Sequence, residues 1–156
     1  MKTFDVIALG ELNVDLILNR IAGFPEVGKE IFARDMICTL GSSTAIFAAN
    51  VSALGARTAF AGMIGRDAFG ELVRGSLEAR GVDTRYVIEA ADRATGVTVV
   101  MSYGEDRANV TYPGAMEALR FADLDPEIFL SARHIHLSSL FMQPGLLADI
   151  CLLYTS

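Results

Sequence analysis

The chain has 156 residues, with 13 Lys+Arg against 19 Asp+Glu for a formal net charge of −6, 52% apolar residues, two cysteines and no tryptophan. That length fits one ordinary domain, and an acidic balance with scattered arginines lacks the electrostatic footprint that nucleic acid or an anionic membrane surface requires. Cys38 and Cys151 lie far apart, without C-x-x-C spacing or an adjacent histidine, which excludes a structural zinc site and a disulfide framework and fits a reducing cytoplasm.

No secretory signal is expected, because Asp5 and Glu11 interrupt the first apolar segment and no small-residue cleavage site follows a basic start. The charge-free stretch between Asp35 and Arg57 carries Gly41, Ser42, Ser43, Thr44, Asn50, Ser52 and Gly55. It reads as a loop and a buried helix rather than a membrane span. A mean hydropathy of +0.39 is high for a lone domain and predicts that something normally covers part of the surface.

Phe4 to Leu9 is a short apolar run closed by Gly10, as expected for a strand buried on both faces of a parallel sheet. Residues 14–18 and 30–39 mix β-branched, aromatic and polar residues around Gly23-Phe24-Pro25, and predict strands of a small separate sheet. Ser42 to Leu54 is Ala-rich with Gly55 as its stop, which predicts a helix packed closely on the main sheet. Thr58 to Ile64 is the next core strand. Ala68 to Arg80 follows as a helix with Phe69, Leu72, Val73 and Leu77 on one face and Gly81 at its end. Tyr86–Ile88, Val97–Ser102 and Ala108–Tyr112 read as strands completing the small sheet, the last two joined by a hairpin around Gly104. Pro126 opens a short helix at its first helical position, His134–Leu137 is a third core strand, and Pro144 opens a last helix. Strand and helix in alternation give an α/β fold with a parallel sheet and two strand insertions.

In open parallel sheets, ligands settle at the carboxyl ends of the strands. The first such end reads Gly10-Glu11-Leu12-Asn13-Val14-Asp15. Asn13 and Asp15 share a face if the chain is extended, and the pair suits two hydroxyls of one polyol; the same residue types also cap turns and bind local backbone. The second strand-to-helix passage, Gly41-Ser42-Ser43-Thr44, offers backbone N–H groups and hydroxyls at a positive helix end, where a polar or anionic group could dock or Ser42 could simply cap the helix. Gly62 to Gly70 is glycine-rich but has neither dinucleotide nor P-loop spacing, so Asp67 reads as a helix cap. Arg107 is expected at the tip of the hairpin, within reach of a ligand under the small sheet or simply solvated. His134 and His136 share a strand face without a third ligand and receive no chemistry. The sequence has no G-x-S-x-G elbow and no H-E-x-x-H helix.

Taken together, Gly10 to Asp15, Gly41-Ser42-Ser43 before the Ala-rich helix, Gly62 to Gly70, Gly81-Val82-Asp83 and Thr95-Gly96-Val97-Thr98 resemble the ribokinase-like (PfkB) family of carbohydrate and nucleoside kinases, over Phe4 to about Ala148. The resemblance implies a three-layer α/β/α sandwich carrying a β-sheet lid, with lid strands at about 12–39 and 86–113, and dimers formed through that lid. It implies ATP-dependent transfer of the γ-phosphoryl group, with Mg2+, to a primary hydroxyl of a sugar or nucleoside. Asp15 would bind substrate hydroxyls with help from Asn13, Gly41, Ser42 and Ser43 would lie against the sugar, and Arg107 and Tyr112-Pro113-Gly114 would face it from the lid.

Two departures from the family pattern stand out. Ser42 replaces a second glycine, and Ile46 stands where the family often has an asparagine that meets the sugar. The family's Gly-Ala-Gly-Asp element, which supplies the anion-binding helix end and the proton-accepting Asp, occurs nowhere in the chain. The expectation is therefore the N-terminal, substrate-binding part of one kinase domain across 1–156, inactive alone, with residues 151–156 foreign to it. The competing expectation is a non-catalytic sugar- or nucleoside-binding module, or an unstable fragment that associates through its exposed sheet.

Overall fold

The computed structural model describes residues 2–147 and 149–150. Two sheets organise it. The larger is all parallel, in the order β5-β4-β1-β8, from β1 (Phe4–Leu9), β4 (Thr58–Gly65), β5 (Asp83–Ala90) and β8 (Ala132–Leu137). The smaller, in the order β3-β2-β6-β7, comprises β2 (Asn13–Asn19), β3 (Asp35–Leu40), β6 (Gly96–Tyr103) and β7 (Asp106–Tyr112). In it β2 runs parallel to β6, while β3 and β7 are antiparallel to their neighbours.

The central strands are apolar on both sides because both faces of the parallel sheet are covered. Ile7 and Leu9 of β1 pack with Leu119, Phe129 and Leu146, while Ala8 on the other side packs with Ala45, Ala48 and Phe60. All eight residues of β4 are buried. Helix α1 (Ser43–Ala53) lays small side chains, Thr44, Ala45, Ala48 and Ala49, against the sheet, so it approaches closely. Helix α2 (Ala68–Glu78) buries Val73 and Leu77 on the same layer. The opposite layer is thinner: the 3₁₀ turns Gly114–Ala118, Phe121–Asp123 and Leu140–Met142, with the short helices α3 (Glu127–Leu130) and α4 (Pro144–Leu147). The mixed α/β architecture with a parallel sheet and helices on both faces is the one expected.

Several element assignments need correction. Tyr86–Ile88 lies in β5, at the edge of the large sheet, not in the small one; Gly62 pairs with Val87 and Met63 with Ile88. The strand reads as half-polar because its outer position leaves Arg85 and Glu89 exposed while Thr84 and Val87 are buried. The strand expected over 30–39 is confined to Asp35–Leu40. Pro126 sits at the N-cap of α3 rather than inside it. The foreign tail expected at 151–156 lies outside the described residues.

Candidate functional site

The first strand ends at Leu9, and the chain steps from the large sheet into the small one across Gly10, Glu11 and Leu12. β2 therefore begins at the joint of the two sheets, and its period of two turns Asn13 and Asp15 to one face. Asn13 Nδ2 donates to Asp15 Oδ1 at 3.0 Å and to Thr98 Oγ1 at 3.0 Å. Thr98 lies opposite Asp15 on β6, and Thr111 lies opposite Thr98 on β7, their hydroxyls 3.1 Å apart. A polar row thus crosses three neighbouring strands.

Gly41 closes this row from below. A Cβ built on it would come 2.4 Å from Asp15 Oδ1 and 2.7 Å from Asn13 Nδ2, so only glycine lets the β3–α1 turn lie against both side chains. Gly41→Ala is expected to push Asn13 and Asp15 out of register, read as displaced amide signals of both residues in ¹⁵N-labelled protein, while leaving the secondary structure intact by circular dichroism. Unchanged signals would show that the turn does not hold the pair.

Ser42 adopts a positive φ of 68° and caps α1, accepting from Ala45 N at 3.0 Å and donating to the Glu11 carbonyl at 2.7 Å. The anion at this helix end is already built in. Glu11, only 4% exposed, accepts from Ser43 Oγ at 3.3 Å and from Thr44 Oγ1 at 3.0 Å. Ser43 and Thr44 also bond Ser138, and Ser43 bonds Ser139, which ties the exit of β8 to the start of α1. The start of α2 is occupied in the same way, by Asp67 accepting from Gly70 N at 2.8 Å. A nucleotide's phosphates therefore meet a carboxylate at the N-terminus of both long helices, and these residues do not fit a triphosphate cradle.

Asn13, Asp15, Ser42, Ser43 and Arg107 converge on a cleft of about 350 Å³, whose walls also include Glu11, Thr98, Asn109, Thr111, Met116, Ser139 and Met142. Burial raises the Asp15 pKa above the ordinary carboxylate value, with the Asn13 hydrogen bond and the Arg107 charge opposing. Arg107 sits on β7, beside Ser102 of β6 rather than at the tip of the hairpin. Tyr112 belongs to the other face of the small sheet and is exposed, so it does not face the cleft as the resemblance implied. Ile46 does not line it either; it borders a separate groove with Thr39, Leu40 and Asn50. His136 stacks on Phe47 with ring centroids 3.7 Å apart, and burial holds its pKa below the usual imidazole value.

A larger cleft of about 640 Å³ runs past Met63, Ile88, Arg93 and Arg120. Of its carboxylates, Glu89 pairs with Arg66 and Arg74 and Asp123 accepts from the Arg120 backbone, while Asp92 and Glu117 also line the cleft. Among the described residues, no group of three or more His, Cys, Asp or Glu side chains is placed to hold a metal ion, and no helix is long and apolar enough to cross a membrane. Glu11, Thr98, Thr111 and Ser139 also line this cleft, and the sequence did not single them out as candidates. The alternation along β6 and β7 carries the signal for the two threonines, because it puts them on the face of Asp15 once the strand pairing is known.

The model of the pfkB family of carbohydrate kinases matches residues 3–155. The chain belongs to this family. A nucleoside kinase of Methanothermobacter thermautotrophicus is 29% identical over 136 residues, which is 86% of this chain and 44% of that protein. A probable fructokinase-3 of Arabidopsis thaliana is 36% identical over 104 residues, 64% of this chain and 30% of that protein. Among solved structures, the fructokinase of Halothermothrix orenii superposes with a TM-score of 0.81 at 23% identity, covering 97% of this chain and 54% of that one. A putative ribokinase II of E. coli in complex with ATP and Mg2+ gives 0.75 at 26% identity, covering 88% and 44%. This pfkB-family chain thus spans about half the length of the proteins it matches, and its fold is that of the ribokinase-like kinases.

Proposed function

We propose that this chain is the acceptor-binding part of an ATP-dependent sugar kinase that phosphorylates a primary hydroxyl, and that alone it turns over no ATP. The observation that carries the reading is the close set of Asn13, Asp15 and Gly41 at the joint of the two sheets. Asp15 has only acceptors to offer, one oxygen engaged by Asn13, and its second oxygen, which accepts no hydrogen bond among the described residues, is open to a substrate hydroxyl. Adjacent ring hydroxyls, in a free sugar or in the ribose of a nucleoside, present donors at the matching spacing. The small sheet then acts as a lid, with Ser42, Ser43 and Arg107 completing the wall. ATP and Mg2+ are the cofactors we assign to the whole protein, and the cytoplasm its location.

Two features of this chain argue for binding without turnover. Carboxylates fill both long-helix N-termini, and the sequence contains no Gly-Ala-Gly-Asp element to receive the developing charge and the hydroxyl proton. We also propose that two copies pair through the lid. The strand register puts Leu16, Leu18, Met36, Val99 and Val110 on the face away from the cleft, with Met36 66% and Val110 62% exposed. Sedimentation at increasing concentration reads that association.

Calorimetry with D-fructose, D-ribose and adenosine, alongside a coupled assay of ATP consumption, tests the central reading. The expected result is saturable binding of at least one of the three and no sugar-dependent ATP consumption by the pure 156-residue chain. Sugar-dependent turnover would overturn the inactive reading. Absence of binding by all three would overturn the acceptor site.

A further inference from the structure

The Asn13 amide is a two-ended group whose orientation decides whether the cleft meets a ligand with a donor or with an acceptor. Its nitrogen is fully engaged: Asp15 Oδ1 and Thr98 Oγ1 each lie at 3.0 Å, with the Val14 carbonyl at 3.2 Å. A carboxylate oxygen cannot donate, so the nitrogen must face Asp15, and a threonine hydroxyl on the next strand takes the second proton. No protein group donates to Asn13 Oδ1 within hydrogen-bonding distance among the described residues. It is not among the fully occluded unpartnered atoms, of which Gln143 Oε1 is the one found among the described residues, and Asn13 lines the cleft.

Proton counting extends the row. Thr98 and Thr111 have two hydroxyl protons and share one hydrogen bond of 3.1 Å, so one proton of the pair remains over whichever of them donates. Both threonines line the cleft. We infer that Thr98 is a positioning residue that holds the Asn13 amide with its oxygen toward the ligand, so that β2 presents two acceptors, Asn13 Oδ1 and Asp15 Oδ2, and the Thr98–Thr111 pair presents one donor. The inference rests on the acceptor-site reading and narrows it. The ligand carries two neighbouring hydroxyls as donors and, on the side toward β6 and β7, an acceptor oxygen such as a ring ether, carbonyl or third hydroxyl.

Thr98→Val tests this, since it removes the hydroxyl at nearly constant volume and keeps a β-branched residue on a strand. The readout that separates positioning from mere stability is the side-chain amide of Asn13 in ¹⁵N-labelled protein. It reports orientation without any ligand. In the unsubstituted chain both Asn13 amide protons are expected to exchange slowly with solvent; in Thr98→Val one of them exchanges at least tenfold faster, and Thr98→Ser restores the slow rate. D-fructose or D-ribose affinity should fall roughly three- to tenfold in Thr98→Val, as for loss of one neutral hydrogen bond, and recover in Thr98→Ser. Thr111→Val, on the outer strand, should weaken binding similarly while leaving the Asn13 amide protected. Unchanged amide exchange in Thr98→Val overturns the inference, even where neither sugar binds the unsubstituted chain. Loss of sugar binding in Asp15→Ala with none in Thr98→Val would leave the acceptor site standing and this inference refuted.

Discussion

Asp15→Ala should lower the affinity for D-fructose or D-ribose by roughly ten- to 150-fold, the equivalent of removing one charge-assisted hydrogen bond of about 1.5 to 3 kcal/mol. Calorimetry on both proteins reads it. The substitution removes a half-buried carboxylate whose burial is unfavourable, so the unfolding midpoint should stay the same or rise. That combination separates a binding role from a structural one. Asp15→Asn keeps one oxygen acceptor and should fall between the two. Binding should also be lost in acid. Burial raises the Asp15 pKa, and only the ionised carboxylate accepts at both oxygens, so affinity should fall at a pH above the ordinary carboxylate value of 3.8. Binding that survives Asp15→Ala would remove this residue from the site.

Asp67→Ala is expected to be the most destabilising polar substitution, by about 3 kcal/mol, because it removes a helix N-cap and strands two donors at once. Asp67 accepts from Gly70 N and Thr95 Oγ1, each at 2.8 Å, through one oxygen and from Thr95 N at 2.8 Å through the other. Thr95 in turn accepts from Gly65 N at 2.9 Å, so the carboxylate joins the end of β4, the start of α2 and the start of β6. The glycines are packed tightly around this knot. A Cβ on Gly65 would come within 2.5 Å of the Arg93 carbonyl and 2.6 Å of Thr95 N, leaving the segment no room to readjust. For a chain of this size, a loss of about 3 kcal/mol corresponds to a fall of roughly 6 to 12 °C in Tm. Burial opposes the ionised form of Asp67, but the donors from Thr95, Gly70 and Phe69 outweigh it and lower its pKa. Because the folded-state value is depressed, the stabilisation is fully present above the unfolded value of about 3.8 and is lost as pH falls through the lower, folded one. A Tm within 2 °C of the parent would show that the knot does not hold the two sheets together.

The large sheet was legible where both faces are covered. The apolar runs of β1 and β4 and the Ala-rich face of α1 allow only a close helix-on-sheet packing. β5 was misplaced because a sheet edge makes a core strand alternate like an exposed one, and alternation alone cannot say which sheet it joins. Asn13, Asp15 and Gly41 were legible because their spacing or their turn chemistry is local. Glu11 was not, since its partners Ser43 and Thr44, and the serines after β8 that these two bond, come together only when the first and last core strands pair. Thr98 and Thr111 were hidden for the same reason, as their meaning comes from register against β2. Tyr112 shows the reverse error: a motif position was carried over, while the pleat turns its side chain to the other face.

The most direct test of the acceptor site is a titration of ¹⁵N-labelled protein with D-fructose, D-ribose and adenosine, followed by backbone amide shifts. Saturable shifts concentrated at Glu11, Asn13, Asp15, Gly41, Ser42 and Thr98, with little change around Met63, Ile88 and Arg93, are the predicted result. Shifts confined to the larger cleft, or none at 100 mM of each ligand (about one Kd for binding of 1.4 kcal/mol), would contradict it.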